Sequence, residues 1–175
     1  MADPTGTLAY VGSSAGKSIT VDVADMKLAQ GDGLVLVTHA LGSCIGITIY
    51  DPVAKVGGML HYMLPESKIN PDKAVQMPYM FADTGIPRLF RESYRLGADK
   101  KRLIVKLAGG ANVLDSANYF NIGKKNYLAA RKILYQNGVL IRGECVGGTS
   151  GKTMRLCLTT GTVLVRTMAG EELEL

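Results

Sequence analysis

Short alternating runs of apolar residues, parted by glycine-rich breaks, constrain this chain most. Its 175 residues include 21 glycines, well above the roughly 7% of an average chain, and these gather between runs whose apolar side chains recur at every second position. Such runs occupy 7–11, 19–26, 34–38, 45–50, 56–63, 102–107, 139–146, 154–159 and 163–167. A period of two places successive side chains on opposite faces, so each run reads as a strand with one face to bury. Two segments depart from this pattern. Over 84–96, Ile86, Leu89, Phe90 and Tyr94 recur at helical spacing between Thr84, read as an N-cap, and Gly97, read as a stop; Pro87 then falls in the first turn, where its missing N–H has no intrahelical partner. Over 121–137, Tyr127, Ala130, Ile133 and Leu134 share one side, Lys124, Lys125, Arg131 and Lys132 the other, and Gly138 ends the helix. The expected fold is therefore α/β: a layered sandwich of mostly antiparallel strands with two main helices packed outside. No linker or repeat divides it, so one domain is expected over 1–175, with residues 12–17 as a mobile loop.

Composition narrows the function. Apolar residues make up 47% of the chain, yet no apolar run approaches the ~20 residues that span a bilayer. The first residues carry neither a basic segment nor an apolar one, and a cytoplasmic location is expected. Cys44, Cys145 and Cys157 are odd in number and match no zinc spacing, while His39 and His61 are the only histidines; reduced thiols, no metal and no cofactor are expected. The net charge of +5 arises from 20 basic and 15 acidic residues scattered along the chain. A solvated surface accounts for these, and the aromatic-basic interleaving of a single-strand binder is missing, so nucleic acid is not expected as a partner.

The chemistry gathers between Cys44 and His61. Residues 44–50 alternate, Asp51-Pro52 opens a turn, and 55–63 returns, which together read as a β-hairpin. With Asp51 to Ala54 as a four-residue loop, Tyr50 faces Lys55 and Cys44 lies opposite His61, with Cβ atoms about 5 Å apart. An imidazole beside a thiol can take its proton, and the thiolate attacks carbonyl carbon. Thr38 ends the preceding strand near the same edge; its hydroxyl can accept from one ring nitrogen and leave the other to face sulfur. Gly42 and Ser43 offer backbone N–H groups for an oxyanion. His39 is a rival base five residues before the thiol, although it points away from the face Thr38 uses. A buried apolar cysteine beside a satisfied histidine is the plain alternative. The segment 147–153 looks like a phosphate-binding loop but is one residue short of that spacing and is followed by a strand, so it reads as a hairpin turn.

The ordered motifs Thr38-His-Ala-Leu-Gly-Ser-Cys44, His61-Tyr-Met-Leu-Pro65, Tyr-Met-Phe-Ala-Asp-Thr-Gly-Ile-Pro87, Lys106-Leu-Ala-Gly-Gly-Ala111, Ile122-Gly-Lys-Lys-Asn126 and Gly147-Gly-Thr-Ser-Gly-Lys152 resemble the chemoreceptor glutamine deamidases, the CheD family of bacterial chemotaxis. The resemblance implies Cys44 as nucleophile, His61 as general base and Thr38 as third member, on a sandwich like that of deamidating bacterial toxins. It implies methyl-accepting chemotaxis receptors as substrate and a CheC-like phosphatase as partner. His39-Ala40 and Lys152 depart from the family pattern, where an apolar residue with glycine and an arginine are more usual. An idle adaptor binding receptor or phosphatase is the rival reading, and a nucleotide-binding module a more distant one.

Overall fold

The computed structural model describes residues 9–11, 17–112 and 121–175. Residues 7 and 8 of the first expected strand and 12–16 of the expected loop lie outside them, and Lys17 already begins a strand. Six strands form one sheet: β1 (Ala9–Val11), β3 (Asp25–Gln30), β6 (Val56–Tyr62), β5 (Ile45–Asp51), β7 (Ile104–Gly109) and β8 (Ile141–Val146), in that spatial order. The second sheet has the order β11 (Glu172–Glu174), β10 (Val163–Thr167), β9 (Lys152–Cys157), β4 (Leu34–Leu41) and β2 (Lys17–Thr20). Most neighbours run antiparallel; β1 with β3, β2 with β4 and β7 with β8 are parallel. The layered α/β sandwich expected from the alternating runs is what the chain adopts.

The centre of the six-stranded sheet is covered on both faces, which explains why β5 and β6 are closed to solvent along their whole length. Ile45, Ile47, Ile49, Leu60, Tyr62 and Leu107 face the helical layer, where Ile86, Leu89, Ala130 and Leu134 meet them. The opposite parity, with Tyr50, Met59 and Ala108, meets Leu36, Leu41, Met154, Leu156 and Val165 of the second sheet. Two cores thus share one central sheet. Cys44 packs against the second of them.

Three local expectations need correction. The run 19–26 is two strands in different sheets, because Asp25 accepts from the Asp22 N–H and the backbone turns at Ala24, whose φ is +57°. Alternation marks a strand but not where it changes sheet. The first long helix, α2, covers Ala82–Arg95 with Phe81 at its N-cap position; the short α1 (Pro71–Gln76) precedes it. Thr84 is inside α2 and donates to the Pro78 carbonyl at 2.5 Å, so it caps nothing, and Pro87 falls in the second turn instead of the first. Gly97 ends this helix as expected, at φ +94°. The segment 147–151 is no hairpin turn, since β8 and β9 belong to different sheets; it crosses the sandwich and is pinned by Lys152 Nζ donating to the Gly147 and Ser150 carbonyls. The last helix, α3, covers Ile122–Gln136 and buries Gly123, Asn126, Ala130 and Leu134, leaving its lysines and Arg131 exposed. Among the described residues no helix is long and apolar enough to cross a membrane.

Candidate active site

The hairpin forms, with a register two residues from the expected one. Tyr50 pairs with Gly57, Asp51 with Val56, and Gly46, not Cys44, lies opposite His61. Asp51 causes the slip. Its Oδ1 accepts from the Val53 and Ala54 N–H groups, and Arg102 holds the same carboxylate, so Asp51 stays in the strand and the loop becomes Pro52 to Lys55. A slip of one would have sent the imidazole to the other face; a slip of two keeps it. Cys44, just before β5, packs half-buried against the inter-sheet core, on the side of the sheet that His61 shares with Gly46.

Each carbonyl of the bend 42–44 is anchored. Gly42 accepts from the Ala111 N–H at 2.8 Å, Ser43 from Asn126 Nδ2 at 2.9 Å and Cys44 from the Gly110 N–H at 2.8 Å. Gly109 permits this approach: at φ +109°, a Cβ there would sit 2.2 Å from the Cys44 oxygen. Because a trans peptide points its N–H opposite to the preceding C=O, anchoring the carbonyls of 42 and 43 turns the N–H groups of Ser43 and Cys44 away from the anchor. Gly42 cannot serve as an oxyanion donor, since its own N–H is given to the Ala40 carbonyl at 2.9 Å. Cys44's own N–H lies against its sulfur.

Thr38 and His61 come together across the gap between the sheets. Thr38 Oγ1 is 2.8 Å from His61 Nδ1, with both residues at 0% exposure. The hydroxyl has one hydrogen, and it donates this to the Val21 carbonyl at 2.7 Å. It can only accept from the ring, so Nδ1 carries the imidazole proton and Nε2 carries the lone pair. Nε2 is buried and makes no hydrogen bond, to Cys44 or to any other described residue. His39 is exposed and near Thr153, away from this gap, and so the rival base is placed outside the site.

Burial governs the charges. It pushes the Cys44 thiol up from its ordinary range, more than the sulfur's own backbone N–H lowers it. It pushes His61 down to about 4 against the pull of Asp22 and of Asp25, the residue paired with His61 on β3. At neutral pH the resting site holds a neutral thiol and a neutral imidazole, not a preformed ion pair. A consequence can be checked by stability. The folded-state value lies below the unfolded 6.5, so the unfolded chain binds the proton first as pH falls. The expected loss between pH 6.5 and 4 is about 3 kcal/mol, and His61→Gln should remove that window from a pH series of denaturant melts.

Asn126, which closes the motif Ile122-Gly-Lys-Lys-Asn126, is a position to which sequence reasoning gave no role. On α3, Nδ2 donates to both the Ser43 and the Met63 carbonyls, at 2.9 and 2.7 Å, tying the cysteine bend to the chain just beyond His61. Its backbone carbonyl accepts from the Tyr62 hydroxyl at 2.7 Å. A polar side chain on the buried stripe of a helix is the signal that marks it. Asn126→Ala is expected to destabilise by about 2 kcal/mol and to slow Cys44 alkylation by iodoacetamide and turnover together, read by melting, intact mass and steady-state rates.

The sequence matches the family model described as CheD chemotactic sensory transduction over residues 63–167. It is 52% identical over 157 residues to the probable chemoreceptor glutamine deamidase CheD 1 of Syntrophus aciditrophicus, covering 90% of this chain and 98% of that protein. A similar protein of Solibacter usitatus, also named probable chemoreceptor glutamine deamidase CheD, is 53% identical over 145 residues, 83% of this chain and 86% of its own. Among solved structures, the hypothetical protein YfiH of Bacillus licheniformis is similar with a TM-score of 0.38 and 11% identity; the match covers 78% of this chain and 62% of that one.

Proposed function

The chain belongs to the CheD family, and we propose on that premise that it hydrolyses glutamine side chains of methyl-accepting chemotaxis receptors to glutamate, with Cys44 as nucleophile, His61 as general base and Thr38 as the residue that orients it. The observation that carries this reading is the Thr38 hydroxyl, which accepts the Nδ1 proton and leaves Nε2 as a lone pair on the side of the sheet where Cys44 lies.

In the reaction, Nε2 takes the Sγ proton as sulfur bonds to the amide carbon, and the carbonyl electrons move onto oxygen. The N–H groups of Ser43 and Cys44 hold that oxyanion. The resulting imidazolium is stabilised by the field of Asp22 and Asp25, which already favours protonation. It returns the proton to nitrogen, the C–N bond breaks, and ammonia leaves a thioester on Cys44. Nε2 then draws a proton from water as its oxygen attacks the thioester, the C–S bond breaks, and glutamate and thiol are restored. The hydrogen bond from sulfur to Nε2 forms in the substrate complex, where catalytic contacts commonly tighten.

The single domain, a cytoplasmic location and a CheC-like phosphatase as partner belong to the same proposal, with the partner presented to the cleft around Cys44. Incubation with a glutamine-containing receptor fragment tests the reading. Ammonia release matched to amide-to-acid conversion in the fragment's mass supports it. Binding of the fragment with no mass change favours the idle adaptor.

A further inference from the structure

On the helical layer, away from the cysteine, α2 and α3 leave an open groove between them. Ile86, Pro87, Phe90, Tyr94, Ile133 and Val139 are among the apolar residues that line a concavity of about 280 Å³, and Arg91 and Lys100 are its charged residues, with no carboxylate in the lining. Phe90 and Tyr94 pack edge to face at 6.4 Å, which fixes the aromatic part of the floor. The acids nearby are engaged elsewhere: Asp83 accepts from the Ser67 N–H and hydroxyl, Glu92 holds Arg95, and Asp99 accepts from the Lys101 N–H and faces Arg102. α3 carries Lys124, Lys125, Arg131 and Lys132 and no acid at all. Arg91 and Lys100 are exposed and form no ion pair among the described residues.

We propose that this groove docks an acidic amphipathic helix of a protein partner. The apolar side of such a helix, with anchors at i, i+3, i+4 and i+7, fills a concave apolar site, while its carboxylates meet the unopposed Arg91 and Lys100. The concavity favours a helix over a membrane, because a flat lipid surface would bridge the groove and leave its floor unfilled. The site is distinct from the catalytic cleft: Ile133 lies about 10 Å along α3 from Asn126, on the helical side of the sheet, whereas Cys44 packs between the sheets. Occupation there would hold a partner to the enzyme while Cys44 stays open.

The test uses two synthetic helices with the same leucine positions, one carrying glutamate and the other lysine at the remaining sites, with binding followed by anisotropy and by amide chemical shifts. The glutamate helix is expected to bind at least about tenfold tighter at low salt, with shifts centred on Phe90, Tyr94 and Ile133. The double variant Arg91→Glu, Lys100→Glu should reverse that preference while keeping wild-type melting and Cys44 alkylation. Equal binding of both helices, shifts centred elsewhere, or an unchanged preference in the double variant would overturn the proposal. So would a double variant that loses binding to phosphatidylserine-containing vesicles but retains the acidic helix, which would assign the face to lipid.

Discussion

Cys44→Ser is expected to lower glutamate formation by at least about a thousandfold, the scale on which removal of a covalent nucleophile is felt, while the variant melts within a few degrees of the wild type. Stability should hold because the residue is half-buried and its sulfur anchors no element; the backbone carbonyls of the bend carry the anchoring. The chemical loss follows from proton affinity. The base proposed is the buried His61 imidazole, whose pKa burial pushes down to about 4, and it can deprotonate a thiol in a concerted attack far more easily than an alcohol. Receptor binding should survive the substitution. A serine variant with near wild-type turnover would remove Cys44 from the mechanism.

The largest effect on stability is expected at Asp51. This carboxylate is at 0% exposure and accepts from Val53, Ala54 and Asp99 N–H groups and from the Arg102 guanidinium. Burial pushes its pKa up, but the Arg102 hydrogen bond and the three backbone N–H groups outweigh that and hold it well below the usual carboxylate range. Asp51→Ala leaves three part-buried N–H groups and the Arg102 guanidinium without their carboxylate acceptor and should cost about 3 kcal/mol, or roughly 10 °C in a thermal melt of a chain this size. The sign with pH is fixed by linkage: the folded value lies below the unfolded one, so this contribution is present above pH ~4 and is lost as pH falls further. It is therefore separable from the His61 window, which lies between 4 and 6.5. In wild type the two losses should appear in succession on acidification; Asp51→Ala should abolish the lower and keep the upper.

Asp51 also shows why the sequence could be read for faces but not for register. The alternation of 44–50 and the return run gave the hairpin, and Cys44 and His61 did fall on one side of it. The loop position depended on the Asp99 N–H and on Arg102, some fifty residues away, which no local turn rule contains. Thr38 was legible for a similar reason: a strand-end hydroxyl on the inward parity was expected beside the histidine, and it lies 2.8 Å from His61 Nδ1. What it could not reveal was the Val21 carbonyl, whose acceptance of the hydroxyl proton fixes which ring nitrogen keeps its lone pair. The contacts of Asn126 were hidden on a helix whose extent was correctly expected, because its two acceptors, Ser43 and Met63, are more than sixty residues distant. The division of 19–26 between two sheets escaped notice because alternation is a property of each strand by itself.

Rapid acid quenching of the wild-type protein during turnover of a glutamine-containing receptor fragment, followed by intact-mass analysis and peptide mapping, tests the central claim most directly. The account predicts a transient adduct of protein plus fragment less one ammonia, mapped to Cys44 and absent from His61→Gln at the same times. Glutamate forming at the full rate with no adduct at any time, or an adduct carried by Cys145 or Cys157, would contradict it.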